Sequence, residues 1–95
     1  MIWTSAAASD FLSINSEGAA FDLALESALE LLRHFPEQGT RVPRSQRLRR
    51  LLVGKFRQWG LFYSLVGQRI VIVALVDLRR RPDGIEELLS SREAL

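Results

Sequence analysis

The sequence predicts an α+β fold. A short first strand and two antiparallel N-terminal helices pack on a three- to four-stranded antiparallel sheet, followed by a short C-terminal helix. Three observations predict it. Apolar residues recur at helical spacing before Pro36, two apolar and β-branched runs follow Gly60, and a D-x-x-E pattern precedes a last apolar stripe. All the helices, segregated from the strands instead of alternating with them, are expected together on one face of the sheet. A chain of 95 residues makes one domain, residues 1–95.

Each element has its own signal. Ile2-Trp3 can open the chain as a strand, with Thr4 or Ser5 capping the first helix. Ala7, Phe11 and Ile14 then fall on one helical face, and Gly18 breaks the run. The strongest stripe is Phe21, Leu25, Ala28, Leu32 and Phe35, with Asp22, Glu26, Glu30 and Arg33 turned to water. Pro36 stops that helix, and Pro36 to Gln46 reads as a loop. Leu48 to Val53 is a strand, and Lys55 to Trp59 an irregular link. Leu61 to Val66 and Ile70 to Val76 flank Gly67-Gln68, a glycine-first pair suited to a type II′ hairpin. Both runs are apolar on both faces, so they belong at the centre of the sheet. Asp83 and Glu86 supply the capping pattern, and Ile85, Leu88 and Leu89 the apolar side of the last helix.

Composition removes several chemistries. There is no cysteine, so disulfides and zinc–thiolate sites are excluded. His34, the single histidine, sits at a helix end beside Phe35 and Pro36, and the glycines form no phosphate loop. Glu86 and Glu87 are adjacent and point apart on a helix. No metal and no cofactor are expected. The start MIWTSAAASDF lacks a basic, apolar leader, and Ile70 to Val76 falls well short of the roughly 20 residues that span a bilayer. A cytoplasmic protein without a membrane partner is expected.

The charge is unevenly placed. Residues 41–81 hold eleven basic side chains against one acid, Asp77, inside a chain of net charge +2. Such a block suits an anionic partner, nucleic acid or an acidic protein surface; a merely solvated basic face is the alternative. Guanidinium groups hold phosphate by paired hydrogen bonds and can stabilise a phosphoryl-transfer transition state. Lys55, Arg57 and Arg80 are the candidates for a catalytic part, the lysine as general base. Arg47, Arg49, Arg50, Arg79 and Arg81 are the candidates for binding nucleic acid or another target. Strand ends in an antiparallel sheet lie side by side, so these groups are expected to converge. Phe56, Trp59 and Tyr63 could stack on bases, or Phe56 and Tyr63 could be core residues.

From Phe35 to Leu89 the chain resembles the RelE/ParE toxins, often called plasmid stabilisation proteins. The resemblance rests on Phe35-Pro36-Glu37-Gln38-Gly39, Val53-Gly54-Lys55-Phe56, Leu61-Phe62-Tyr63 and Arg80-Arg81-Pro82-Asp83, in order and at family spacing. Trp3-Thr4 before an alanine-rich helix also looks like the family's opening. The resemblance implies a growth-inhibiting toxin of a type II toxin–antitoxin system, neutralised by binding a cognate antitoxin. Its target would be DNA gyrase in the ParE branch, or mRNA cut on the ribosome in the RelE branch. A degenerate member that only binds its antitoxin is a third possibility. The family's R-D-P pattern becomes Arg81-Pro82-Asp83 here. In the RNA-cleaving branch a tyrosine or histidine late in the chain commonly assists acid–base chemistry, and none follows Tyr63. The F-P-E-x-G loop and the helical N-terminus look closer to ParE.

Overall fold

The computed structural model describes residues 1–14 and 18–93. In chain order the elements are β1 (Ile2–Trp3), α1 (Ser5–Leu12), α2 (Gly18–His34), β2 (Thr40–Arg41), β3 (Leu48–Val53), β4 (Phe56–Val66), β5 (Arg69–Asp77) and α3 (Pro82–Glu93). Among the described residues the five strands form one sheet, in the order β1-β5-β4-β3-β2. Its pairs are antiparallel except β1 with β5, which is parallel. The α+β class stands, with a sheet larger than the expected three or four strands and mixed in direction.

The differences have local causes. β2 arises inside the stretch read as a loop, because two exposed residues show no alternation to detect. It pairs Thr40 with Arg50 and Arg41 with Arg49, giving hydrogen-bond partners to an edge of β3 that would otherwise face water. The expected link from Lys55 is instead a tight turn at Gly54-Lys55 that leads straight into β4. Gly54 (φ +52°) and Gly67 (φ +63°) both open two-residue turns, and neither Lys55 nor Gln68 has positive φ. That combination fits type II′ and requires glycine first. The irregularity lies within β4 itself: Leu52 pairs with Gly60 and Val53 with Phe56, so residues 57–59 have no partner on β3. Trp59 pairs with Asp77 instead, and the Leu78 N–H donates to the Gln58 carbonyl at 2.6 Å.

Thr4 caps α1 as expected, its hydroxyl accepting from the Ala7 N–H at 3.1 Å. α1 lies over β5 and α2 over β3, on the same face of the sheet. Phe21, Leu25 and Leu32 meet Leu61, Tyr63 and Ile72 there. Phe35 does not join the stripe; it follows the last helical turn and is exposed. The expectation that all helices share one face fails at α3. Leu89, Ile85 and Leu88 cover the opposite face over Leu48, Phe62, Val73 and Val76. β4 and β5 are apolar on both sides, so one helical layer would leave half of that surface wet. α3 also starts differently from the sequence pattern. It begins at Pro82, whose missing N–H is harmless in a first turn, and Asp83 lies inside that turn, bonded to the Gly84 N–H.

A bulge on β5 ties both layers to its outer edge. Phe62 pairs with Ala74 and Tyr63 with Ile72, leaving Val73 as the extra residue. Beyond the short β1, two side chains serve this edge. Asp10 of α1 accepts from the Leu75 N–H at 3.0 Å, and Arg92 of α3 donates to the Val73 carbonyl at 3.0 Å. Arg92 and Asp10 also grip each other through two guanidinium nitrogens and two carboxylate oxygens. Both side chains are largely buried.

On the inner face Tyr63 is fully buried, and its hydroxyl carries two backbone bonds. It accepts from the Gly39 N–H at 2.8 Å and donates to the Pro36 carbonyl at 2.7 Å. Arg49, opposite Tyr63 on β3, donates to the Glu37 and Gly39 carbonyls at 3.2 and 2.9 Å. A Cβ on Gly39 would lie 2.7 Å from the Tyr63 hydroxyl and 2.8 Å from Cε1, so the approach requires glycine. The Phe35–Gly39 segment is therefore folded by a tyrosine and an arginine from the sheet beneath it.

Two stability predictions follow from these contacts. Tyr63→Phe should lower unfolding free energy in urea by about 1–3 kcal/mol, since it orphans a buried N–H and a buried carbonyl. Burial pushes the Tyr63 phenol above its ordinary 10.0, against the opposing effects of the Gly39 N–H and the Arg49 charge. The folded state thus holds this proton more tightly than the unfolded chain. The resulting stability is full below pH 10.0 and is lost as pH rises past it. The difference between wild type and Tyr63→Phe should shrink in that alkaline range, and a difference independent of pH would refute the assignment. Arg92→Met should cost about 3 kcal/mol in the same assay, because Asp10 is left charged and largely buried.

Candidate functional site

On the α3 face, a groove of about 470 Å³ opens between the sheet and the start of α3. Alternation along β3 sends Arg50 to this face and Arg49 to the other, as their partners Phe62 and Tyr63 show. Arg80 enters from the turn after β5, which is closed by its N–H on the Asp77 carbonyl at 3.2 Å. Phe62, Leu78, Ile85 and Leu89 supply an apolar floor, and Thr40 and Arg41 of β2 form the far rim.

The remaining basic residues are placed elsewhere. Arg79 holds Asp77 with paired hydrogen bonds at 3.0 and 2.7 Å, and that grip is the main reason the Asp77 carboxyl titrates below its ordinary value. Arg81 pairs with Asp83 at 3.4 Å. Of the three consecutive arginines, only Arg80 borders the groove. Lys55 and Arg57 are exposed at the β3–β4 turn, at the same end of the sheet as Asp77, but they do not line the groove. Arg49 is engaged with the Phe35–Gly39 segment. Arg47 lies at the other end: β3 begins opposite Ser64, and Ser64 faces Val71 near the start of β5. The expected convergence of these basic residues therefore does not occur. The end of β5 meets the end of β3, and Arg47 belongs to its beginning.

Among the aromatic candidates, Tyr63 is core and cannot stack on a ligand. Trp59 packs edge-to-face on Phe21 with ring centroids 5.8 Å apart, and the Phe56 side chain lies outside the described structure. The groove was invisible in the sequence, because Phe62 read only as a strand hydrophobic, Leu78 fell outside the predicted elements and Arg41 fell in the predicted loop. The arrangement has three exposed guanidinium groups, those of Arg41, Arg50 and Arg80, over hydrocarbon, with the Glu86 carboxylate also at its edge, and no histidine, tyrosine or carboxylate pair placed for proton transfer. It can hold an anionic, partly apolar surface; it does not offer acid–base chemistry. Among the described residues no group of side chains could hold a metal ion. No helix of theirs is long and apolar enough to cross a membrane.

A second concavity, of about 580 Å³, lies on the opposite side between α1 and α2. Trp3, Phe11, Leu12, Leu25 and Leu29 line it, with Asp22 and Glu26 at its rim. Leu12 is 73% exposed there, more than any other large apolar side chain of the described chain.

Neither a curated protein nor a solved structure matches the chain significantly. A family model does match: residues 1–82 fit the ParE toxin of type II toxin–antitoxin system, parDE. The match runs from β1 through the Phe35–Gly39 segment and both hairpins to the first residue of α3. The chain belongs to the ParE family of type II toxin–antitoxin toxins.

Proposed function

We propose that this toxin acts by poisoning DNA gyrase and is held inactive by its cognate antitoxin, without cleaving RNA. The observation that carries the reading is the state of Tyr63. It is the only tyrosine of the chain, and its hydroxyl is buried and committed to Gly39 and Pro36. His34, the only histidine, is exposed at the end of α2, its Nδ1 3.0 Å from the Glu30 carbonyl, and α2 lies on the face of the sheet opposite the groove of Arg50 and Arg80. Cutting RNA requires one group to take a proton from the attacking hydroxyl and another to protonate the leaving oxygen. Lys55 alone would have to serve both steps, from an exposed turn outside the groove.

Binding without chemistry is within reach of the same surfaces. The α1–α2 concavity suits the apolar side of an antitoxin segment that folds as it docks. The groove at Arg50 and Arg80 suits acidic residues of a partner. A basic surface meeting an acidic one adds association rate and salt sensitivity.

Inducing the chain alone, mapping mRNA ends on ribosomes and assaying supercoiling by purified gyrase tests the proposal directly. Loss of supercoiling with intact mRNA is the expected outcome; abundant codon-phased cleavage with normal supercoiling would overturn it. The charge placement makes a separate prediction for the antitoxin complex. Arg50→Gln with Arg80→Gln should weaken binding at low salt by about tenfold or more. Arg79→Gln with Arg81→Gln, which removes the same formal charge from self-paired positions, should change it far less. Equal losses for the two pairs would show that net charge, and not the groove, is read.

A further inference from the structure

The α3 face carries a second cavity, at the end of the sheet away from Arg80. It encloses about 400 Å³ between the last turn of α3 and the beginning of α1. Leu48, Val71 and Val73 form an apolar wall, and Arg47 stands at the mouth. Thr4, Ser5 and Ala6, at the start of α1, line the same space. Thr4 occupies the Ala7 N–H, which leaves the N–H groups of Ser5 and Ala6 as first-turn donors bordering the cavity.

Ser64 supplies an independent observation. It is 8% exposed, the one polar residue of the described core, and it lines this cavity. Its neighbours across the strands are Leu48 and Val71, both apolar. Its hydroxyl has no hydrogen-bond partner in the described structure, and the oxygen is accessible from the cavity that Ser64 lines. A hydroxyl without a protein partner at a cavity wall is free to donate to an oxygen placed in the cavity.

We propose that this cavity binds a carboxylate carried on a short apolar stem. The carboxylate would receive the planar guanidinium of Arg47, the free N–H groups at the start of α1, and the Ser64 hydroxyl. The stem would lie on Leu48, Val71 and Val73. A phosphate dianion fits less well, because the rim already holds the Glu93 carboxylate, bonded to the Ser45 hydroxyl at 2.5 Å. Arg92 also borders the cavity, but Asp10 neutralises it. The carboxylate could belong to a free branched acid or to the last residue of a polypeptide, and the two share one chemistry.

Titration of the isotope-labelled full chain with isovalerate and with acetyl-alanyl-leucine separates these sources. Each is run beside its neutral amide, and inorganic phosphate is run as the competing anion. A saturable shift of the Ser5, Ala6 and Ser64 amide signals by an acid, absent with its amide, is expected. The tighter of the two acids identifies the source. Arg47→Gln should weaken binding by about tenfold or more, and Ser64→Ala by a smaller factor, both at unchanged fold. Arg69→Gln, which removes a charge from the nearby β4–β5 hairpin, serves as the charge control. The proposal fails if the amides or phosphate bind as well as the acids. It fails equally if neither acid moves these signals, or if Arg47→Gln and Arg69→Gln behave alike.

Discussion

Asp10 and Arg92 stand 82 positions apart and meet across the rim of β5, one coming from the helical layer above the sheet and one from the layer below. Little else joins the two layers at that edge. β1 contributes only Ile2 and Trp3 to it, so the backbone groups beyond would be left to solvent without these side chains. The carboxylate takes an N–H, the guanidinium takes a carbonyl, and their mutual charge holds both in place. Each of the two charges would be costly alone in so dry a position, and together they turn an edge strand into an interior one. The position of α3 follows from this, and so do the two cavities that lie on either side of it.

The sequence was most legible where periodicity and punctuation agreed. The α2 stripe, the stop at Pro36 and the glycine-first hairpin at Gly67 all follow from rules acting within a few residues. What stayed hidden depends on distant partners. Asp10 looks like any acid of an acidic half, and nothing nearby pairs it with Arg92. β2 is too short to carry a pattern and exists because β3 has an edge to fill. The side taken by α3 could not be read either, since its apolar residues fit either face equally. Only the two-sided hydrophobicity of β4 and β5 hinted that a second layer was needed.

The same limit governs the basic block. Counting arginines located the stretch that matters, but it treated equal charges as equal. In the fold, Arg49 serves backbone carbonyls, Arg79 and Arg81 face acids close by in sequence, and Arg47 lies at the far end of the sheet. Arg50 and Arg80 share the groove because β3 alternates and the turn after β5 bends back. Strand direction was the missing datum: in an antiparallel sheet the beginning of one strand meets the end of its neighbour. The ends of β3 and β5, two strands apart, therefore lie together, and Arg47 at the beginning of β3 is excluded.

The bulge at Val73 has a consequence for how the chain can change in length. Ile72 and Ala74 pair with the consecutive residues Tyr63 and Phe62. Deleting Val73 would thus close the ladder into regular register and leave every other cross-strand partner as it is. For the sheet alone, a shorter β5 would be the simpler solution. What the extra residue provides is a carbonyl turned outward to Arg92 and a side chain turned toward α3. A homologue that loses α3 should be free to lose this residue as well, whereas one that keeps the helix has reason to keep it. Although Val73 is counted in a strand, its presence answers to the helix.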